Sequence, residues 1–287
     1  MIEARYLPVD GALGFVEIIT SDSVLSSSDV PTVVCVHTAG QNGVQWRHVG
    51  TELATQGYRV IIPDLPGHGR SEPAHGQPVA DLDVYADWIL TLLSTLEVER
   101  PYVLGCSIGG KLALDLATRP EYPLAGAIVM EAEAAPGRVN ISGLRRELED
   151  VAGPSRAERT YLGTIASVGN SVATETAHLI ALMHKREDPE ISSSDLIGWG
   201  THDVRGRLAL LTCPLRLVCG TDDPWIRWEA VQRLAEEINL LRPGLAQFSS
   251  LCGVGHYPME EVEDFVVLAA EWLADLRDAS PARVVQA

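Results

Sequence analysis

The chain has 287 residues, 46% of them apolar, enough to fill the core of one large domain or two modest ones and too many for wholesale disorder. Its formal net charge is −17 with only two lysines, Lys111 and Lys185, and a chain this acidic repels phosphate backbones, which argues against nucleic-acid binding. The start MIEARYLPVDG has no basic-then-apolar leader, and no apolar run approaches the roughly 20 residues that span a bilayer, so a cytoplasmic protein without a membrane anchor is expected.

ARYLPV, GFVEII and TVVCVHT open the chain as three strands, rich in β-branched residues and separated by turn-formers. A helical stretch over 43–56 leads to the strand RVIIPD at 59–64. Over 80–96, Leu82, Tyr85, Ile89, Leu92 and Leu96 recur every three or four residues and predict a helix with one apolar face. The strand PYVLGC at 101–106, a helix at 108–118 and the strand LAGAIVM ending at Met130 follow. Residues 134–207 differ: they carry mixed helical patterns, the polar run DPEISSSD and no clear strand. Alternation then resumes with LRLVCG at 215–220, a helix at 227–240, LAQFSSL at 245–251 and a last helix at 259–277. The pattern predicts an α/β fold: a mostly parallel sheet covered on both faces, an antiparallel edge at its start, and a helical insertion after the sixth strand. The domains expected are a core of residues 1–133 and 208–287 and an inserted unit of 134–207. The five cysteines, Cys35, Cys106, Cys213, Cys219 and Cys252, are odd in number and form no CxxC pair, which suggests neither a disulfide framework nor a zinc site.

Ligands of such sheets bind beyond the carboxyl ends of the strands. In YVLGCSIGGKLAL, Ser107 stands at such an end, between Gly105 and Gly109 and directly before a helix. A reversal this sharp demands small neighbours, and the helix that follows directs unsatisfied N–H groups at the turn. A bare GxSxG match is equally compatible with a tight turn. The strand before and the helix after point to a nucleophile.

A serine nucleophile needs a base. Of the eight histidines, His37, His48, His68, His75, His178, His184, His202 and His256, only His256 lies in a loop after the final strand near the chain's end. The base needs an orienting acid, and GTDDPW places Asp222 and Asp223 just past a strand end. Asp-Asp-Pro is also a turn signal. The chain order serine, acid, histidine fits this type of sheet. The oxyanion formed by attack needs two N–H donors: Ile108, directly after the serine, and a second from the loop HTAGQNG.

Together these motifs resemble the α/β-hydrolase superfamily, in its branch with a helical cap, over almost the whole chain. GCSIGG resembles the nucleophile elbow. HTAG, with Trp46 and Arg47 downstream, resembles the oxyanion loop, and DLPGHGRSEP from Asp64 the family's D-x-x-G-x-G-x-S turn. GTDDPW and GVGHYPMEE resemble the acid and histidine loops, and DVRGRLALLTCP the return from cap to core. The resemblance implies an eight-stranded sheet, Ser107 as nucleophile, His256 as base, Asp223 rather than Asp222 as acid, and the N–H groups of Ala39 and Ile108 as oxyanion donors. The family's usual glycine after the loop histidine is Thr38 here, which makes Thr38 the competitor to Ala39. Its frequent proline seven residues after the catalytic histidine is Glu263. Some relatives carry the acid after the sixth strand, where this chain has Glu131 and Glu133; with Asp223 in place, Glu131 is the lesser alternative for the acid and reads as a strand-end charge. The serine argues against the aspartate-nucleophile reactions of haloalkane dehalogenases and epoxide hydrolases.

The implied reaction is hydrolysis through an acyl-enzyme, without cofactor or metal, acting on a small molecule. His37, Thr38, Gln41, Trp199 and Trp225 are candidates to line the oxyanion loop or pocket, although packing alone accounts for either tryptophan taken singly. His178, His184 and His202 have no metal spacing and are expected at the surface. The insertion has no basic cluster for a phosphate handle, which favours a small or medium, largely apolar ester or lactone. A C–C hydrolase of a β-diketone or vinylogous acid uses the same residues, and a ligand receptor on this fold is the reading from another class. A homo-oligomer is compatible with the sequence.

Overall fold

The computed structural model describes residues 1–21, 30–149 and 156–279. Eight strands form one sheet: β1 (Ile2–Val9), β2 (Ala12–Ile19), β3 (Thr32–Val36), β4 (Arg59–Pro63), β5 (Tyr102–Cys106), β6 (Gly126–Met130), β7 (Leu215–Gly220) and β8 (Ala246–Leu251). Their order is β1-β2-β4-β3-β5-β6-β7-β8. β1 runs antiparallel to β2 and β2 antiparallel to β4, while every other pairing is parallel. The eight-stranded, mostly parallel sheet with an antiparallel edge is the architecture expected from the alternation of patterns.

The central strands are apolar on both faces because both are covered. Alternate residues of β3 enter opposite cores: Val34 and Val36 belong to the core that also holds side chains of α2 (Leu82–Thr95), α3 (Ile108–Ala117) and α8 (Trp228–Leu241), while Val33 and Cys35 belong to the one that holds those of α1 (Arg47–Thr55) and α10 (Phe265–Ala279). Asp81 starts α2 by accepting a hydrogen bond from Asp83 N–H at 3.0 Å, and Leu82, Tyr85, Ile89 and Leu92 face inward as their spacing predicts. The stretch expected as one helix over 43–56 begins with a 3-10 turn, Gly43–Trp46, before α1.

The last helix departs from expectation. In place of one helix over 259–277 there are a short α9 (Pro258–Glu261) and α10, separated by extended backbone at Val262 (φ −91°, ψ 117°). Glu261 turns back at this break, and its carboxylate accepts from the N–H groups of Gly169, Gly255 and Tyr257 at 2.6–2.9 Å.

Between β6 and β7 the chain forms α4 (Ile141–Glu149), α5 (Arg156–Ile165), α6 (Thr174–His184) and α7 (Pro189–Thr201). Residues 150–155 of the expected insertion lie outside the described residues. Both ends of the insertion are tied to α3. The buried Lys111 ammonium donates to Glu133 O, Ala135 O and His202 O, and burial pulls its pKa down to about 8. Asp115, one turn on, lies 3.0 Å from His202 Nε2 and 2.7 Å from Arg207 Nη2.

Candidate active site

Ser107 joins β5 to α3 with φ 58° and ψ −117°, a left-handed conformation that costs a non-glycine residue about 1–3 kcal/mol. The neighbouring glycines explain how the turn closes. A Cβ on Gly105 would sit 2.0 Å from Gly109 O, and one on Gly109 would sit 2.3 Å from Val36 O. No side chain fits at either position, so the spacing of the motif is a packing requirement. Ser107 N–H donates to Met130 O at 3.0 Å, which pins the turn to the end of β6.

His256 follows β8. Its backbone N–H donates to Ser167 O at 2.8 Å, tying the histidine loop to the insertion, and its Nδ1 lies 2.7 Å from Asp223 Oδ2. Asp223 Oδ1 accepts from Trp225 N–H at 2.7 Å and Ile226 N–H at 3.1 Å. Burial raises the Asp223 pKa, but the charge and hydrogen bond of His256 outweigh it and hold the carboxyl below the usual range. Asp222 points elsewhere: its Oδ2 accepts from the backbone and side-chain amides of Asn170 at 2.9 and 2.8 Å.

Thr38, Ala39, Ser107, Trp199, Trp225 and His256 line one cavity of about 410 Å³, together with Val139, Leu144, Leu196 and the polar Thr160, Thr164 and Glu187 from the segment between β6 and β7. The volume lies in the usual range of small-molecule sites. Trp199 is buried, whereas Trp225 is half exposed and donates through Nε1 to Ser167 Oγ at 2.8 Å.

The loop after β3 spends its amides unevenly. Thr38 N–H donates to Gln45 Oε1 at 3.0 Å, and Gly40 N–H donates to Asp195 Oδ2 of α7 at 2.7 Å. Between them, Ala39 N–H has no partner among the described residues, and Ile108 N–H opens α3, where the helix provides no acceptor. Gln41 and His37 do not reach the cavity lining. Gln41 donates to His184 O at 3.2 Å, and His37 Nε2 accepts from Leu65 N–H at 3.0 Å. Burial and the neighbouring His68 lower the His37 pKa to about 4 and keep it neutral.

Two expectations are corrected. His184 and His202 are buried, not at the surface: His184 meets Glu260 at 2.8 Å, and His202 meets Asp115. Only His178 of the three is exposed. Glu131 does stand directly after β6, and its side chain is fully buried against β7. Sequence reading also passed over Asp195, which accepts from His68 Nε2 at 2.7 Å, from Tyr85 OH at 2.9 Å and from Gly40 N–H. The available signal was a lone acid in the otherwise uncharged run ISSSDLIGWG.

A family model described as the alpha/beta hydrolase family matches residues 33–270, and the chain belongs to that family. An uncharacterized protein of Mycobacterium tuberculosis is 36% identical over 113 residues, which is 39% of this chain and 32% of that protein, so the match spans about a third of the relative's length. RutD of Pseudomonas syringae, provisionally named a carbamate hydrolase, is 28% identical over 74% of this chain and 83% of its own. The 3-hydroxybutyrate-oligomer hydrolase of Cupriavidus necator is 28% identical over 75% of each. Among solved structures, an esterase from Thermogutta terrifontis superposes with a TM-score of 0.77 at 24% identity, covering 96% of this chain and 99% of that one, a likeness of fold. The chain is thus an alpha/beta hydrolase with hydrolase relatives; no helix among its described residues is long and apolar enough to cross a membrane.

Proposed function

We propose that the chain is a serine hydrolase that cleaves an ester or lactone of a small or medium, largely apolar molecule, with residues 134–207 acting as a cap over a core of 1–133 and 208–287. The observation that carries this reading is the 2.7 Å contact of His256 Nδ1 with the buried Asp223, at a cavity that Ser107 also lines. With Nδ1–H directed at Asp223, Nε2 is left as the basic nitrogen.

Ser107 Oγ attacks the acyl carbon and gives its proton to His256 Nε2. The oxyanion is held by Ala39 N–H and Ile108 N–H. Thr38 N–H is taken by Gln45 and Gly40 N–H by Asp195, which supports Ala39 over Thr38 as the donor. His256 then protonates the leaving alkoxide, and the acyl group remains on Ser107. Water, deprotonated by His256, releases the acid and restores the serine. Asp223 holds the imidazole orientation and balances its charge.

The apolar side chains Val139, Leu144, Leu196 and Trp199 around the cavity support an apolar acyl or alcohol group. The name of the Cupriavidus relative is consistent with ester cleavage, and that of RutD makes carbamates the first competing substrates to test. The test is a panel of p-nitrophenyl esters, lactones, carbamates and β-diketones, run with the wild type and Ser107→Ala. Turnover of esters or lactones by the wild type alone is expected. Cleavage of a diketone with every ester and lactone left intact would replace this reading with C–C hydrolysis.

A further inference from the structure

Glu131 follows β6 in a left-handed conformation, φ 49°, and its side chain is fully buried. One oxygen accepts from Gly220 N–H at 2.7 Å, and the other accepts from Cys219 S–H at 3.0 Å. These partners end β7, so the carboxyl is fastened to the strand from which Asp223 emerges. One carboxyl oxygen each of Glu131 and Asp223 and one ring nitrogen of His256 lie within 4.8 Å of one another.

Two carboxyl groups this close and out of water do not both ionise; one keeps a proton. The surroundings decide which. Asp223 receives two backbone N–H donors and the His256 ring. Glu131 receives one backbone N–H and a weak thiol donor, and among the described residues no lysine or arginine pairs with it. Besides His256, the titratable groups around the pair include Cys219 on β7 and Cys106 on β5, both thiols pushed upward by burial, the Tyr257 phenol, likewise pushed upward by burial, and Glu260 and Glu261 on α9; none of these adds a positive charge.

We propose that Glu131 is a positioning residue: a neutral carboxylic acid that donates its proton in a hydrogen bond to the Asp223 carboxylate and so fixes that carboxylate toward His256. The inference rests on the proposed roles of Ser107, Asp223 and His256. Burial first, and the charge of Asp223 second, push the Glu131 carboxyl well above the ordinary range, in keeping with this arrangement. The pair then carries a single negative charge. Were both ionised, the second charge would favour protonated His256 and occupy the base that Ser107 requires.

Two measurements test it. The first is the infrared spectrum of the protein at neutral pH, wild type against Glu131→Gln. The carbonyl stretch of a protonated carboxylic acid is expected in the wild type and absent from the variant. The second is the pH profile of the rate at which a fluorophosphonate labels Ser107. Glutamine keeps a neutral donor, so Glu131→Gln holds the acid limb of the profile at the wild-type pH. Glu131→Leu removes the donor and slows labelling by about tenfold.

The proposal is overturned if no carboxylic-acid band is lost in Glu131→Gln, or if its acid limb moves to lower pH, the sign of a negative charge removed from beside His256. Wild-type labelling by Glu131→Leu also overturns it. Should the leucine variant not fold, the glutamine variant and the spectrum decide alone. The spectrum reports the Glu131 proton whether or not Ser107 is the nucleophile, so the two readings fail separately.

Discussion

Asp195, on helix α7 of the insertion, accepts a hydrogen bond at 2.7 Å from the N–H of Gly40, the residue after Ala39. The same carboxylate meets His68 Nε2 and Tyr85 OH, and its side chain is fully shielded from water. A single acid thus joins the insertion, the loop after β3, the DLPGHGRS turn and α2. Asp195→Ala leaves three buried polar groups without their partner. A loss of about 3–5 kcal/mol in unfolding free energy is expected by denaturant titration, as for other broken buried pairs. Asp195→Asn, which keeps the shape but loses the charge, is expected to fold and to label Ser107 more slowly. Wild-type labelling by Asp195→Asn would show that the loop holds its form without this anchor.

The pairing of His68 with Asp195 makes stability depend on pH. Burial lowers the His68 pKa, but the charge and hydrogen bond of Asp195 exceed that effect, and the net shift is upward. A histidine whose folded pKa lies above its unfolded one stabilises fully below the unfolded value, about 6.5, and loses that contribution as pH rises through the folded value. Unfolding free energy measured at a series of pH values is therefore expected to contain a decline above about pH 6.5 that is missing from His68→Gln. An identical decline in both proteins would assign it to another group.

Asp222 and Asp223 are neighbours with different partners. Asp223→Asn should reduce kcat by up to about 10⁴-fold, because an amide directed at Nδ1 favours the wrong tautomer of His256. Asp222→Asn removes a charge but keeps an acceptor oxygen for the Asn170 amides, away from His256, and should leave kcat near the wild-type value. Steady-state kinetics on one cleaved ester compares them, and equal losses would move the orienting role away from Asp223 alone.

The turn around Ser107 has no room for a methyl group. Gly109→Ala places a Cβ against Val36 O, and Gly105→Ala places one against Gly109 O. Each should lower unfolding free energy by at least about 1–3 kcal/mol, the range for overpacked sites, since the obstructing atoms are backbone and cannot rotate away. Thermal denaturation checks this, and an unchanged midpoint would show that the turn is looser than its geometry.

The sheet was legible because its signals are local. Val33, Val34, Cys35 and Val36 must lie between two apolar layers, and Gly105 and Gly109 announce a tight turn wherever the chain runs. Ser107, Asp223 and His256 were legible as candidates because each stands just past a strand end. What was not legible depends on partners far along the chain. The proximity of Glu131 to Asp223 and the anchoring of Gly40 by Asp195 bridge 92 and 155 positions respectively. No local pattern reports such a pairing. The break before α10 was hidden for a similar reason: Glu261 leaves the helical periodicity intact while its side chain holds amides of the histidine loop and of the insertion.

If Ser107 is an activated nucleophile, as proposed, a fluorophosphonate at neutral pH should modify it, which intact-mass analysis and peptide mapping detect. One adduct per chain is expected, located on Ser107, and no adduct on Ser107→Ala. A folded wild-type protein that takes up no label, or carries it on another residue, would contradict it.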